Sequence, residues 1–167
     1  VVDVERYPDD ALEEMASRGR GMIYTRGHDG SDLKRHVSQE QRTELKAAHY
    51  APHWARLRAA AAGNVLIDLH SYPVVAWPIE PDHRADRPQI DIGTAPDLSP
   101  RTWVDGLIKH FEGHGFEVGE NTPYAGVIDA GAAAAVMVEI RRDVLGAPAD
   151  GAAWRRMVKA LATAPLC

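Results

Sequence analysis

Apolar residues recur along this chain in two rhythms. At residues 65–70 and 134–140 they form short continuous runs, Val65-Leu66-Ile67 leading into Asp68-Leu69-His70 and Val136-Met137-Val138 leading into Glu139-Ile140. Runs of this length, bounded by turn residues, predict buried strands of a parallel sheet. Shorter runs at 1–4, 22–25, 90–92 and 116–118 predict further strands. Elsewhere the apolar spacing is three and four residues, the period of a helix with one buried face. Ala11, Leu12 and Met15 predict a short helix over 9–17, closed by Gly19 and Gly21. Leu45, Ala48, Trp54, Leu57 and Ala61 predict a long one over 38–62. Trp103, Leu107, Ile108 and Phe111 predict a third, and Trp154, Met157 and Leu161 a fourth that packs on the sheet.

The helix ends are marked by local chemistry. Ser38 is placed to accept the first amides of the long helix, with Glu40 at its positive end. Pro52 removes an amide inside that helix and predicts a kink or a split, and Gly63 closes it. Ser99-Pro100 opens the third helix, where proline suits the first position, and Gly115 ends it. Asp150 is the predicted cap of the fourth. Between 73 and 100 the chain is rich in proline and poor in periodicity, which predicts a long excursion forming a lid or pocket wall, interrupted by the strand near 90–92. Strands alternating with helices predict an α/β fold: a three-layer arrangement in which a mixed, mostly parallel sheet is flanked by helices.

Composition narrows the class. The chain has 167 residues, 45% hydrophobic and 26% charged, which suits one globular domain. Its net charge of −5 argues against a nucleic-acid backbone as partner, which requires a positive footprint. No apolar run approaches the roughly 18 residues that span a membrane. A single cysteine, Cys167, excludes an intrachain disulfide and predicts a reducing compartment, the cytoplasm. The chain opens on Val1-Val2-Asp3-Val4 without a start methionine, so it is either a processed product or a piece of something longer.

Four segments carry candidate chemistry. His70 closes a predicted strand, the end at which α/β sheets place ligands; it is either a metal ligand or a turn histidine, with Asp68 as its neighbour. Glu139 lies between apolar residues, where a carboxylate is costly unless paired or used. It is either an ion-pair partner of Arg141 and Arg142 or a general base facing metal-bound water. Arg6, among Asp3, Glu5, Asp9 and Asp10, is either a surface ion pair or a two-pronged clamp for a carboxylate. Asn121-Thr122-Pro123-Tyr124-Ala125-Gly126 is a turn-forming loop bearing amide and phenol groups. His110 and His114 flank Glu112 in an order unlike the zinc proteases and are expected on a solvated face; a metal site at His49 and His53 is not favoured either. There is no phosphate-binding glycine loop and no nucleophile elbow.

Taken in order, Val2-Asp3-Val4-Glu5-Arg6-Tyr7-Pro8-Asp9-Asp10, Gly21-Met22-Ile23-Tyr24-Thr25-Arg26, Tyr50-Ala51-Pro52-His53, Ile67-Asp68-Leu69-His70-Ser71, the 121–126 loop and Glu139-Ile140-Arg141-Arg142 resemble the N-formylglutamate amidohydrolase family across almost the whole chain. That family resembles the zinc carboxypeptidases and aspartoacylases, which implies their fold and a zinc cofactor. The resemblance implies His70 as the last of three zinc ligands and Glu139 as general base. It implies Arg6, Asn121, Tyr124 and Arg142 as groups that hold the substrate's carboxylates, with Glu5 standing where the relatives carry asparagine. The implied reaction is hydrolysis of N-formyl-L-glutamate, or a related N-acyl amino acid, to formate and the amino acid. The first two zinc ligands would lie upstream of Val1, so residues 1–167 are expected to form one domain, the C-terminal two thirds of a longer family domain. The competing expectation is a metal-free binding domain for acidic amino acids or small peptides.

Overall fold

The computed structural model describes residues 1–33, 36–83, 86–146 and 151–166. By its contacts the chain divides into two compact units, Val1–Ala60 with Trp77–Pro81, and Ala61–Ala76 with Asp82–Cys167.

The first unit is built mostly from turns and one interrupted helix. The strands expected at 1–4 and 22–25 are reduced to isolated pairings, Val2 with Ile23 and Arg20 with Tyr24. The Asp3 carboxylate accepts the Glu5 amide at 3.1 Å, which turns the chain out of a ladder after one pairing. The helix expected at 9–17 is a single 3-10 turn, Glu14–Arg18. Here Asp9 accepts the Ala11 amide at 3.0 Å, a local bond that competes with helix formation. Buried Met22, Ile23 and Tyr50 form a small core with Val2, Val4, Val37, Leu45 and Trp54.

The long helix is continuous from 39 to 61, as α1 (Gln39–Leu45), a π-helical turn (Lys46–Tyr50) and α2 (Ala51–Ala61). Ser38 caps it reciprocally with Gln41, each side chain bonded to the other's amide. Pro52 does not split it. Instead the Ala51 amide reaches back five residues to the Lys46 carbonyl, and the wider turn makes room for the proline ring.

The second unit is an α/β fold around a mixed, mostly parallel four-stranded sheet. Its strands are β1 (Val65–Tyr72), β2 (Ile90–Gly93), β3 (Val118–Glu120) and β4 (Ala134–Arg141), in the order β1-β4-β2-β3. β1 is parallel to β4 and β2 to β3, while β2 runs antiparallel to β4. Two helices accompany the sheet, α3 (Arg101–Gly113) and α4 (Gly151–Ala162). Among the described residues no helix is long and apolar enough to cross a membrane.

Alternation along the strands divides the sheet into two unlike faces. Ile90, Ile92, Ala134, Val136, Val138 and Ile140 point one way and pack with Trp103, Val104, Leu107 and Phe111 of α3 and Met157 and Ala160 of α4. Burying each such large side chain contributes on the order of 1.5–3 kcal/mol. The opposite face carries Asp68, His70 and Tyr72 of β1, Glu139 of β4 and Asp91 of β2.

Three expectations change here. The apolar run of β1 predicted a buried strand, but β1 is the outer strand of this sheet, with Val65 36% and Leu69 53% exposed. Trp154 is exposed, and Met157 and Ala160 carry the contact of α4 instead. His110 and His114 are half-buried rather than solvated, because α4 covers that side of α3 and the His110 ring bonds the Ala160 carbonyl at 2.8 Å. The cap expected at Asp150 and the cysteine at 167 lie outside the described residues.

Candidate active site

The polar face of the sheet in the second unit is organised by register. His70 on β1 is the partner of Glu139 on β4, and Glu139 is the partner of Asp91 on β2. Register partners project to the same side of a sheet, so one imidazole and two carboxyl groups stand in a row across three strands. Asp68 lies two residues before His70 and therefore on the same face; its Oδ1 is 2.8 Å from His70 Nε2. The sequence places Asp91 and Glu139 there because each alternates with apolar neighbours that the helices require on the other side.

Glu139 is only 8% exposed, and its Oε2 meets no hydrogen-bond partner among the described residues. Burial raises its pKa from 4.5 to about 7; His70 and Arg142 pull it down, and the nearby Asp91 and Asp68 push it up. A carboxyl poised near neutrality can both take and return a proton.

Asp91 was not singled out from the sequence, although Ile90-Asp91-Ile92 carries the same signal as Val138-Glu139-Ile140, a carboxylate between apolar residues. It is fully buried. Its Oδ1 accepts the Thr122 amide at 2.8 Å and its Oδ2 the Tyr124 amide at 3.0 Å, donors that offset the cost of burying it. The residue between them, Pro123, follows a cis peptide bond and has no amide to satisfy. Gly93, next on the same face of β2, completes the seat: a Cβ there would run into the Gly126 carbonyl and the Met137 side chain.

Arg87 is the other residue missed, since the proline-rich excursion around it offers no period to read. It is 1% exposed. Its Nη1 donates to the Pro73 carbonyl at 3.0 Å and its Nη2 to the Tyr124 hydroxyl at 3.4 Å. Its guanidinium carbon lies 5.4 Å from the Tyr72 ring centre and 5.5 Å from that of Tyr124, within cation–π range. Those two rings meet edge-on at 5.6 Å. Burial holds the Tyr72 phenol well above its ordinary pKa, and it donates to the Pro88 carbonyl.

The second unit therefore brings His70, Glu139 and Tyr124 to one face. Arg142, in the 3-10 turn after β4, donates to Ser71 Oγ at 3.3 Å and to the Ser71 carbonyl at 3.2 Å, and acts on Glu139 electrostatically. Asn121 commits its amide group to the loop: Oδ1 accepts from Thr94 N at 2.9 Å and Gly126 N at 3.3 Å, and Nδ2 donates to Thr94 Oγ1 at 2.8 Å. Arg6 belongs to the first unit, where its guanidinium is 3.3 Å from Glu13 and 3.6 Å from Asp3. His49 and His53 line an open groove in the first unit with Val2, Val4 and Arg56.

Comparisons with known proteins identify the family. The family model for N-formylglutamate amidohydrolase matches residues 1–145. The chain belongs to the N-formylglutamate amidohydrolase family. It also shares its fold with the N-formylglutamate amidohydrolase from Ralstonia eutropha JMP134, at a TM-score of 0.64 and 20% identity over 86% of this chain and 62% of that one. A gene product of Agrobacterium tumefaciens is similar to the same degree, TM-score 0.64 and 20% identity, over 96% of this chain and 66% of that one. The chain thus spans just under two thirds of the length of these structures. No curated protein matches it in sequence.

For an N-formylglutamate amidohydrolase family member the question is whether these residues suit a divalent metal. They do so in kind. His70 with a carboxylate on its ring nitrogen is the arrangement that fixes a metal-binding imidazole. Nitrogen beside carboxylate oxygen is donor chemistry that zinc accepts, and Glu139 Oε2 stands next in register with no hydrogen-bond partner among the described residues.

Proposed function

We propose that the protein is a zinc-dependent amidohydrolase that removes the formyl group of N-formyl-L-glutamate, or the acyl group of a related N-acyl amino acid, giving formate and glutamate from the former. Family membership supports the reaction class, and the observation that carries the reading is Glu139: a buried carboxyl with a pKa near 7 beside a carboxylate-paired histidine. His70 would be one of the residues that hold the metal, oriented by Asp68. Zinc, when bound, would supply a Lewis acid that polarises the amide carbonyl and acidifies water.

The protein's own residues do the rest. Glu139 Oε2 takes a proton from the water that attacks the formyl carbon. The same atom delivers it to the amide nitrogen as the C–N bond breaks, so that the amino acid leaves as a neutral amine. Tyr124 and Arg142 would hold the substrate's carboxylates, and Asn121 contributes by fixing the loop that bears Tyr124. Formate release by the full-length protein with zinc and N-formylglutamate tests this directly. No release, or release unaffected by Glu139→Gln, would sink it.

One observation favours a second reading: His70 Nε2 and Asp68 Oδ1 already meet at 2.8 Å, as a pair that serves structure alone would. A metal-free binding domain for acidic amino acids or small peptides would need no more. Metal analysis separates the two: about one zinc per chain supports the enzyme, and none, with retained glutamate binding, supports the binding domain.

A further inference from the structure

Tyr124 is held at both ends by residues that no proton transfer requires. Its backbone amide is fixed by Asp91 Oδ2 at 3.0 Å, and its hydroxyl by Arg87 Nη2 at 3.4 Å. Both anchors are buried ions, Asp91 0% and Arg87 1% exposed, in a protein whose other charges mostly face water. They come from opposite ends of one short stretch. Arg87 precedes β2 and reaches back to the Pro73 carbonyl, just after β1; Asp91 lies within β2, one register step from Glu139. The ring between these anchors leans edge-on against Tyr72, which shares the face of His70.

Simple core packing does not require this construction. An apolar pair would fill the same volume without desolvating two charges, since buried ion groups are weak contributors to stability. A half-buried phenol held at a defined place beside a row of ionisable groups is, by contrast, what a recognition site needs, because a site that is slightly loose loses much of its selectivity. The loop itself is shaped to accept the clamp. Pro123 sits between the two amides that Asp91 takes, so each of the carboxylate's two oxygens meets one of them. Gly93 lets the loop backbone lie directly on the strand.

We propose that Asp91 and Arg87 are positioning residues that clamp Tyr124 against the face bearing His70 and Glu139, and that the clamp sets the fit of the site for an acidic N-acyl amino acid. The statement about fit rests on the proposed function; the clamp itself does not. The ligand class is that of the proposed function, and the polar character of the clamped group, a phenol beside a buried guanidinium, suits a carboxylate or amide oxygen better than an apolar side chain.

The experiment has two arms on the full-length zinc-loaded protein. Kinetics with N-formylglutamate compare Asp91→Asn, Tyr124→Ala and the double variant. Asp91→Asn is expected to raise KM about tenfold and leave kcat within about threefold, because it removes a charged acceptor that acts on binding. In the Tyr124→Ala background the same change should alter KM by less than about twofold, since the two residues act through one contact. An equal rise in both backgrounds, or none in either, overturns the proposal. Arg87→Lys keeps the charge without the planar fork and should also raise KM.

The second arm reads amide hydrogen exchange and needs no activity. Asp91→Asn should speed exchange at Thr122 and Tyr124 by about tenfold or more while Val136 and Val138 in β4 stay protected. Unchanged protection at both loop amides overturns the clamp. If the wild-type protein releases no formate, the claim about fit falls with the proposed function, and the exchange arm alone decides the clamp.

Discussion

Glu139 and His70 are register partners on adjacent parallel strands, and Asp68 occupies the histidine's Nε2 from 2.8 Å away while Glu139 Oε2 accepts no hydrogen bond from any described residue. The two groups are thus treated differently by the same face. The imidazole is oriented, and the carboxyl is left in a poorly hydrated place where its charged form is disfavoured. Such a carboxyl is costly as structure and useful as a proton carrier.

Replacing it therefore has an expected kinetic result. Glu139→Gln keeps the shape and removes the proton carrier, so kcat for formate release should fall by about 10²- to 10⁴-fold with KM little changed. The wild-type rate should fall on the acid side as the carboxylate protonates. Its midpoint should lie at or below about 7, because a cation at His70 would favour the ionised form. Initial rates across pH for both proteins check this.

The same substitution should stabilise the metal-stripped protein, and the sign follows from linkage. Below 4.5 the carboxyl is protonated in both folded and unfolded chains and costs nothing. Between 4.5 and about 7 the unfolded chain releases the proton while the folded one keeps it, so stability is lost as pH rises through this window and stays lost above it. Glutamine has no such loss. Denaturant midpoints should show Glu139→Gln more stable by roughly 2–3 kcal/mol near pH 8 and level with wild type near pH 4. Equal midpoints at both pH values would show that the burial cost is absent.

Under the proposed function Asp68 acts through His70, which it meets at 2.8 Å. Asp68→Asn should weaken zinc binding by about 10- to 100-fold, as removal of a partner that orients a metal-bound imidazole does elsewhere. His70→Ala should weaken it further. Competition with a chromophoric chelator measures both, and an Asp68→Asn protein with wild-type affinity would leave the pair as ordinary strand-end bonding.

Gly93→Ala tests how tightly the Tyr124 loop lies on the sheet. The added methyl would meet the Gly126 carbonyl and the Met137 side chain. Relief needs a backbone shift, so a loss of about 1–3 kcal/mol is expected together with a higher KM. A denaturation curve and a KM measurement read the two effects separately.

What the sequence made legible follows from period and length. Val136, Val138 and Ile140 alternate with Glu139 in a run long enough to declare a strand, and Trp103, Leu107 and Phe111 repeat at helical spacing, so the sheet's centre and α3 are visible without coordinates. Outside its long helix the first unit has no such period. Asp3 and Asp9 spend their carboxylates on their own backbone, and single pairings leave no pattern. Within the candidate site, position marks Glu139 and His70 as candidates with a structural alternative each, and the ordered resemblance implies their roles. Asp91 could have been found by the same rule, but its partners, the amides of Thr122 and Tyr124, are 31 and 33 residues away and nothing local announces them. Arg87 was hidden in the same way, because the excursion from 73 to 89 has no rhythm against which one buried arginine stands out.

The two-faced sheet ties chemistry to folding more closely than either needs alone. If β4 slipped by one residue against its neighbours, Glu139 would turn into the oily layer under α3 and α4, while Val138 and Ile140 would turn out beside His70 and Asp91. A chain misaligned in this way would lose its core along with its reactive row. Errors of alignment should therefore yield unfolded material that proteases remove, rather than a stable pool of look-alike protein without a site.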